Sequence, residues 1–313
     1  MKVLLAHDGS EGSDAAILDL ARAGLPARTE IVVLTVADVV MITDAQPASA
    51  DRIGEVATRA RERAERALEA ARANAAAVVE RVRERVPDSI VLGEALADSP
   101  AWGVVRASES MGVDLIVVGS HGRGGLARLA LGSVSQKVAA EANGSVRIAR
   151  APSARDRAQV RLVIGFDGSD DAHGAVEAIA ARTWPPGSAA FLITAADDSI
   201  ATTFASPSHP LAQWTRPGDT SEESSMQRML EAAAEPLRAA GLEVETEVRA
   251  GDPRRVLIDE ASRREADAIV VGARGLSAVE RFLLGSVSQA IAARAACSVE
   301  IARRARSRGA TAA

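Results

Sequence analysis

The sequence predicts two tandem doubly wound α/β domains, each a parallel five-stranded sheet with helices on both faces. Three observations carry this. The 313 residues hold about two domains at the usual ~100–200 residues apiece. The chain repeats itself: residues 3–10 read VLLAHDGS and residues 162–169 read LVIGFDGS, while 114–136 read DLIVVGSHGRGGLARLALGSVSQ and 267–289 read DAIVVGARGLSAVERFLLGSVSQ. Short, continuously apolar runs alternate with segments of helical periodicity, which is the pattern of right-handed βαβ crossovers around a sheet covered on both faces.

The elements follow in order. Residues 2–7 form a strand buried on both faces, 13–23 carry apolar residues at helical spacing, and 30–36 form a second buried strand. Residues 51–86 make a long Ala/Arg/Glu-rich helix stopped by Pro87, whose face carries alternating charges such as Glu62 and Arg66. Strand 89–95, helix 100–111, strand 114–119, helix 133–142 and strand 145–149 complete the first half. The second half repeats the order, with strands near 160–166, 188–195, 242–249, 267–272 and 298–302. The seam falls at Ala151–Ala158, where Pro152, Ser153 and several charges interrupt the pattern. The expected domains are 1–150 and 158–304, with a linker at 151–157 and a tail at 305–313; the basic stretch from 303 onward reads as frayed. Segment 196–220, with Pro207, Pro210 and Pro217, reads as a long loop, and its counterpart around 37–49 is shorter.

Composition narrows the function. Hydrophobic residues are 47% and charged residues 25%, as in ordinary globular proteins. Lys and Arg total 37 against 42 Asp and Glu, a net charge of −5, so neither nucleic acid nor an anionic membrane is an expected partner. Aromatics are 2%, with no Tyr, which leaves few platforms for stacking bases. The lone Cys297 fits a reducing compartment and reads as a small buried residue; His7, His121, His173 and His209 have no metal-site spacing. The apolar start Val3-Leu4-Leu5-Ala6 stops at His7-Asp8-Gly9, short of a signal peptide, and no run reaches the ~20 residues of a membrane span. A cytoplasmic protein is expected. Trp102, Trp184 and Trp214 read as packing residues, with Trp214 in the long loop.

The loops after each fourth strand are the most specific feature. Gly119 and Gly122 are three apart and Gly132-Ser133 follows ten later; Gly272, Gly275 and Gly285-Ser286 repeat that spacing. Glycine lets backbone N–H groups approach phosphate oxygens without a Cβ between them. Ser133-Val134-Ser135 and Ser286-Val287-Ser288 then open helices, with free N–H groups, a favourable dipole end and two hydroxyls each. No Lys adjoins either Gly-Ser pair and the first turn reads D-G-S, which excludes a P-loop and a dinucleotide fingerprint.

D-G-S after the first strand and G-x2-G-x9-G-S after the fourth, present twice, resemble the universal stress protein family, as a tandem member of its ATP-binding subgroup. The resemblance covers about 1–150 and 158–304. It implies two Rossmann-like (adenine nucleotide alpha hydrolase-like) domains with strand order 3-2-1-4-5, which places strands 1 and 4 at the switch point where ligands bind. It implies ATP as ligand, with Mg²⁺ held through its phosphates. Asp8 and Asp167 would meet the adenosine end, and Val36 and Ala195 would line the adenine pocket. Gly119, His121, Gly122, Gly132, Ser133, Val134 and Ser135, and likewise Gly272, Arg274, Gly275, Gly285, Ser286, Val287 and Ser288, match ribose- and phosphate-binding positions. His121 stands where the second half has Arg274, which predicts weaker or more pH-dependent phosphate binding in the first site, with Arg123 and Arg128 able to compensate.

The last strands read Ser145-Val146-Arg147-Ile148 and Ser298-Val299-Glu300-Ile301. Their alternation predicts edge strands with one exposed face. In the family this strand commonly pairs across a twofold axis, which implies an internal pseudo-dimer with Arg147 and Glu300 close together, and leaves room for a homodimer of whole chains. No general base or nucleophile stands out, so the leading expectation is a regulatory ATP-binding protein. A slow Mg²⁺-dependent ATPase and an interaction scaffold with vestigial sites are the alternatives.

Overall fold

The computed structural model describes residues 1–39, 50–122, 131–151, 157–196, 222–275 and 284–304, of which 50–57 and 222–223 by their backbone alone. The first repeat runs β1 (Lys2–Ala6), α1 (Glu11–Leu20), β2 (Glu30–Asp38), α2 (Ala50–Arg85), β3 (Ile90–Asp98), α3 (Pro100–Met111), β4 (Leu115–Gly119), α4 (Ser133–Glu141) and β5 (Ser145–Ala149). The second runs β6 (Arg161–Gly165), α5 (Asp170–Ala180), β7 (Ala189–Ala196), α6 (Glu222–Ala239), β8 (Glu243–Ala250), α7 (Pro253–Arg263), β9 (Ala268–Gly272), α8 (Ser286–Arg294) and β10 (Ser298–Ala302). These spans lie within a few residues of the sequence expectation. α1 begins two residues earlier than its apolar pattern because Ser10 caps it, its Oγ accepting from Ser13 N at 3.3 Å. α3 stops at Gly112, which takes the left-handed conformation (φ 60°, ψ 48°).

The ten strands among the described residues form one sheet in the order β3-β2-β1-β4-β5-β10-β9-β6-β7-β8. Each repeat thus has the order 3-2-1-4-5, parallel throughout, and β5 and β10 join the two antiparallel. The internal pseudo-dimer is therefore a single continuous sheet. On one face a core shared by both repeats runs across the seam beneath α3, α4, α7 and α8. On the other face each repeat has its own core, under α1 and α2 in the first and under α5 and α6 in the second.

Between those two separate cores the seam holds charge. Arg147 and Glu300 lie directly opposite in the β5–β10 register, and both side chains are 0% exposed. The expected exposed face is absent, because α1 and α5 cover it. Arg147 Nη1 donates to Glu300 Oε2 at 3.2 Å and Nη2 to Asp19 Oδ1 at 3.0 Å; Arg182 Nη1 reaches Glu300 Oε2 at 2.9 Å, and its Nη2 also bonds that carboxylate. The alternation of a strand cannot distinguish a solvated charge from one neutralised by a partner across a pseudo-twofold axis.

Two arginines clasp the repeats. Arg150, just past β5, donates from Nη2 to Ala292 O at 2.5 Å and from Nη1 to Cys297 O at 3.2 Å. Arg303, just past β10, donates to the equivalent carbonyls of Ala139 (2.6 Å) and Gly144 (3.2 Å). Each guanidinium so caps the C-terminal end of the other repeat's last helix, where four carbonyls lack intrahelical partners. Arg303 is thus anchored and not part of a frayed end; residues 305–313 lie outside the described residues. Trp184 is buried as expected, its Nε1 on Ile179 O at 2.9 Å, and its ring packs against Gly24 of the first repeat, where a Cβ would come within 2.7 Å. Trp102 is partly exposed with Lys137 Nζ 4.4 Å above its ring. Trp214, the loop 197–221 and residues 40–49 lie outside the described residues.

Candidate functional site

The chain leaves β1 toward β2 on one side and finds β4 on the other, so the carboxyl ends of β1 and β4 face a common crevice. β6 and β9 repeat this arrangement. Into each crevice the sequence puts an Asp-Gly-Ser turn. Its middle glycine needs positive φ, 83° at Gly9 and 78° at Gly168, which costs a Cβ-bearing residue about 1–2 kcal/mol. The aspartate folds back on its own turn: Asp8 Oδ1 accepts from Ser10 N (3.0 Å) and Ser10 Oγ (2.6 Å), and Asp167 Oδ1 accepts from Ser169 N (3.0 Å).

The other carboxylate oxygen leans on the glycine motif. A Cβ on Gly122 would sit 2.8 Å from Asp8 Oδ2, and one on Gly275 would sit 2.6 Å from Asp167 Oδ2. The two motifs, more than a hundred residues apart in sequence, therefore meet in both repeats. Gly119 and Gly272 have a different reason to be glycine. A Cβ there would lie 2.4 Å from Gly12 O and 2.9 Å from Ala172 N, inside the first turns of α1 and α5. They allow helix to approach strand.

Gly132 and Gly285 are the N-caps of α4 and α8, in extended conformation, and each N–H donates to the carbonyl after β4 or β9 (Ser120 O and Ala273 O, both 2.8 Å). A glycine cap brings no side-chain acceptor, so the first-turn N–H groups of Ser133, Val134 and Ser135, and of Ser286, Val287 and Ser288, have none. Of the two hydroxyls expected on each helix, one is already engaged: Ser135 Oγ donates to Gly119 O and Ser288 Oγ to Gly272 O, both at 2.6 Å. Ser133 and Ser286 remain exposed, and Val134 and Val287 pack against the shared core.

Val36, half-buried, faces α3, where a Cβ on Gly103 would meet its Cγ1 at 2.9 Å; Leu96 is its neighbour in β3. The equivalent trio in the second repeat is Ala195, Val256 and Arg249, a small residue beside a larger one. Arg249 brings charge to that wall, its Nη2 3.1 Å from Glu260 Oε1. His121 Nδ1 lies 2.9 Å from Ser120 Oγ, and its Nε2 is buried with no hydrogen-bond partner among the described residues. Arg274 forks onto Asp171, Nε to Oδ2 at 2.9 Å and Nη2 to Oδ1 at 3.2 Å, which holds the guanidinium above its ordinary pKa. Position 12 of the first repeat, equivalent to Asp171, is Gly12. Arg123 and Arg128 lie outside the described residues.

Sequence reasoning missed Asp171, Arg249, Arg150 and Arg303. Aligning the repeats residue by residue would have found them, since Arg150 and Arg303 are equivalent arginines, and Asp171 and Arg274 change together to Gly12 and His121. His7 supports the first turn alone. Its Nδ1 accepts from Gly9 N at 3.1 Å and its Nε2 lies 2.9 Å from Asp14 Oδ1, an arrangement that assigns the neutral Nε2–H tautomer. Burial lowers its pKa despite Asp14.

Fold and crevice together define a tandem doubly wound α/β protein with an anion-suited helix start at each switch point. The universal stress protein family model matches residues 1–150 and 160–303, and the chain belongs to that family. It is 34% identical over 76 residues to the universal stress protein YxiE of Bacillus subtilis (24% of this chain, 51% of that one). It is 39% identical over 70 residues to the universal stress protein Rv1996 of Mycobacterium tuberculosis (22% of each). The aligned segments span about half or less of those relatives' length. A solved universal stress protein from Archaeoglobus fulgidus shares the fold over 97% of this chain and 98% of its own, with a TM-score of 0.63 and 22% identity. Among the described residues no helix is long and apolar enough to cross a membrane.

Proposed function

We propose that each repeat binds one ATP at its switch point and that the chain is a regulatory, cytoplasmic stress-response module. The observation that carries this is the meeting of Asp8 with Gly122 and of Asp167 with Gly275, made independently in both repeats. Asp8 and Asp167 would take the adenosine end, with Val36 and Ala195 at the adenine. Gly119, His121, Gly122, Gly132 and Ser133 through Ser135 would hold ribose and phosphates in the first site. Gly272, Arg274, Gly275, Gly285 and Ser286 through Ser288 would do so in the second. The backbone donors of α4 and α8 suit an anion electrostatically. Mg²⁺ would ride on the phosphates. The chain supplies binding and orientation, and occupancy would alter assembly, including a homodimer, or partner binding.

The test is denaturing release and chromatography of nucleotide from freshly purified protein, followed by calorimetric titration of the emptied protein with ATP and Mg²⁺. Two ATP per chain, lost in Asp8→Ala with Asp167→Ala, is the expected result. No released nucleotide and no heat of binding refutes it, and would leave the glycine loops as turns in a scaffold.

A further inference from the structure

We propose that the two sites oppose each other: nucleotide in the second repeat releases Asp171 to draw on Arg303, which loosens α4, the phosphate helix of the first. This rests on the ATP reading above.

The carboxylate of Asp171 is 4% exposed and lies in the first turn of α5. A buried carboxylate needs a cation, since leaving one unpaired is strongly unfavourable. In the structure Arg274 serves, yet Arg274 is itself 36% exposed and projects from the glycine loop that would hold phosphate. A polyphosphate is the stronger partner for a planar guanidinium, because it offers more charge and several acceptors. When Arg274 turns to it, Asp171 needs a replacement.

Arg303 is that replacement. The chain after β10 runs beside α5, where a Cβ on Gly174 would lie 3.3 Å from Arg304 Cα, one turn from Asp171. The Asp171 carboxylate and the Arg274 guanidinium both act on Arg303 electrostatically, and among the described residues its guanidinium bonds carbonyls. Burial brings its pKa down to about 10, so a carboxylate is favourable company. Of those carbonyls, Ala139 lies in the last turn of α4 and Gly144 in the turn just beyond it. α4 has nine residues and is about 13 Å long, so the clamp and the phosphate-binding turn are the two ends of one short rod. Drawing the positive charge off its C-terminal end weakens the cap and the field that favours an anion at its N-terminus.

The device exists on one side alone. Arg150 clamps α8 as Arg303 clamps α4, but the position equivalent to Asp171 is Gly12 and the one equivalent to Arg274 is His121. No side chain at position 12 can compete for Arg150. Linkage then requires that nucleotide in the first site weaken the second by the same factor.

The experiment uses the full chain with Gly122→Val, which blocks the first site, and follows amide hydrogen exchange while Mg²⁺-ATP fills the second. Calorimetry counts the bound nucleotide. Exchange in the last turn of α4, residues 138–141, is expected to quicken about fivefold on saturation. That response is expected to vanish in Asp171→Asn and, separately, in Arg303→Met. In the mirror chain carrying Gly275→Val, filling the first site should leave residues 291–294 of α8 unchanged. One ATP bound per Gly122→Val chain with no change in α4 overturns the coupling and leaves ATP binding standing. No ATP bound by the unsubstituted chain overturns both.

Discussion

Replacing Glu300 by Gln removes one charge from a four-membered buried chain, Asp19–Arg147–Glu300–Arg182, whose side chains are between 0% and 4% exposed. Two carboxylates balance two guanidiniums. A neutral amide at position 300 would leave the cluster one positive charge in excess, with Arg182 holding the Ala23 carbonyl (3.0 Å) but no anion of its own. Breaking a buried pair from one side costs about 3–5 kcal/mol. At about 2–4 °C per kcal/mol, as for domains of 150–250 residues, the melting temperature falls by roughly 6–20 °C. The assay is urea and thermal unfolding of Glu300→Gln beside the double variant Arg182→Met with Glu300→Met. The double variant should recover most of the loss, because an apolar pair of similar volume replaces an ion pair at little cost. Acid titration adds a second readout. Burial pushes the Glu300 carboxyl up, but Arg182 and Arg147 outweigh it and leave it below its ordinary 4.5. Its contribution is therefore full above pH 4.5 and lost as pH falls through the lower folded value; Glu300→Gln removes that part of the acid sensitivity. A loss below about 1 kcal/mol, or additive losses in the double variant, would refute the reasoning.

His7 is kept neutral in the fold, burial outweighing the attraction of Asp14 and Asp8 with Arg81 opposing it, so its stabilisation is present above pH 6.5 and drains as pH falls toward the folded value. His7→Phe, which installs the residue found at the equivalent Phe166, should flatten the change in urea midpoint between about pH 7 and pH 5; an unchanged slope would count against it. Burial pushes the Cys297 thiol up to about 11 from 9.0, ahead of the opposing pull of Arg150. At pH 8 this means about 100-fold less thiolate, so labelling by a small alkylating reagent, followed by mass spectrometry, should be slow at pH 8 and quicken above pH 10. Rapid labelling at pH 8 would contradict the burial argument.

Much of the candidate site was legible because its parts are local. A D-G-S turn, a glycine N-cap followed by Ser-Val-Ser, and the spacing between Gly119, Gly122 and Gly132 are each set within a few residues. Their recurrence, the D-G-S turn after 159 residues and the glycine motif after 153, gave them weight. What each glycine does was less legible: Gly119 and Gly272 make room for α1 and α5, while Gly122 and Gly275 make room for a carboxylate. Ser135 and Ser288 were read as free donors, yet each hydroxyl closes back on the strand end sixteen residues earlier.

The sequence by itself determined the strands, the helices, their order and the twofold repetition, since apolar periodicity and turn chemistry act over short distances. That Arg147 and Glu300 would lie close together was implied by the family's pairing of last strands across a twofold axis; the observed register puts this pair on the axis, with Val299 meeting Ile148 and Ile301 meeting Val146 on either side. Only the tertiary structure decided that these charges are buried, that Arg150 and Arg303 cross the seam, and that Asp171 holds Arg274. Each depends on groups between 103 and 164 residues apart, brought together when β5 and β10 pair or when α5 docks beside β9. Whether a charge meets water or a counter-charge is settled by what packs over it, and that is a property of the assembled sheet.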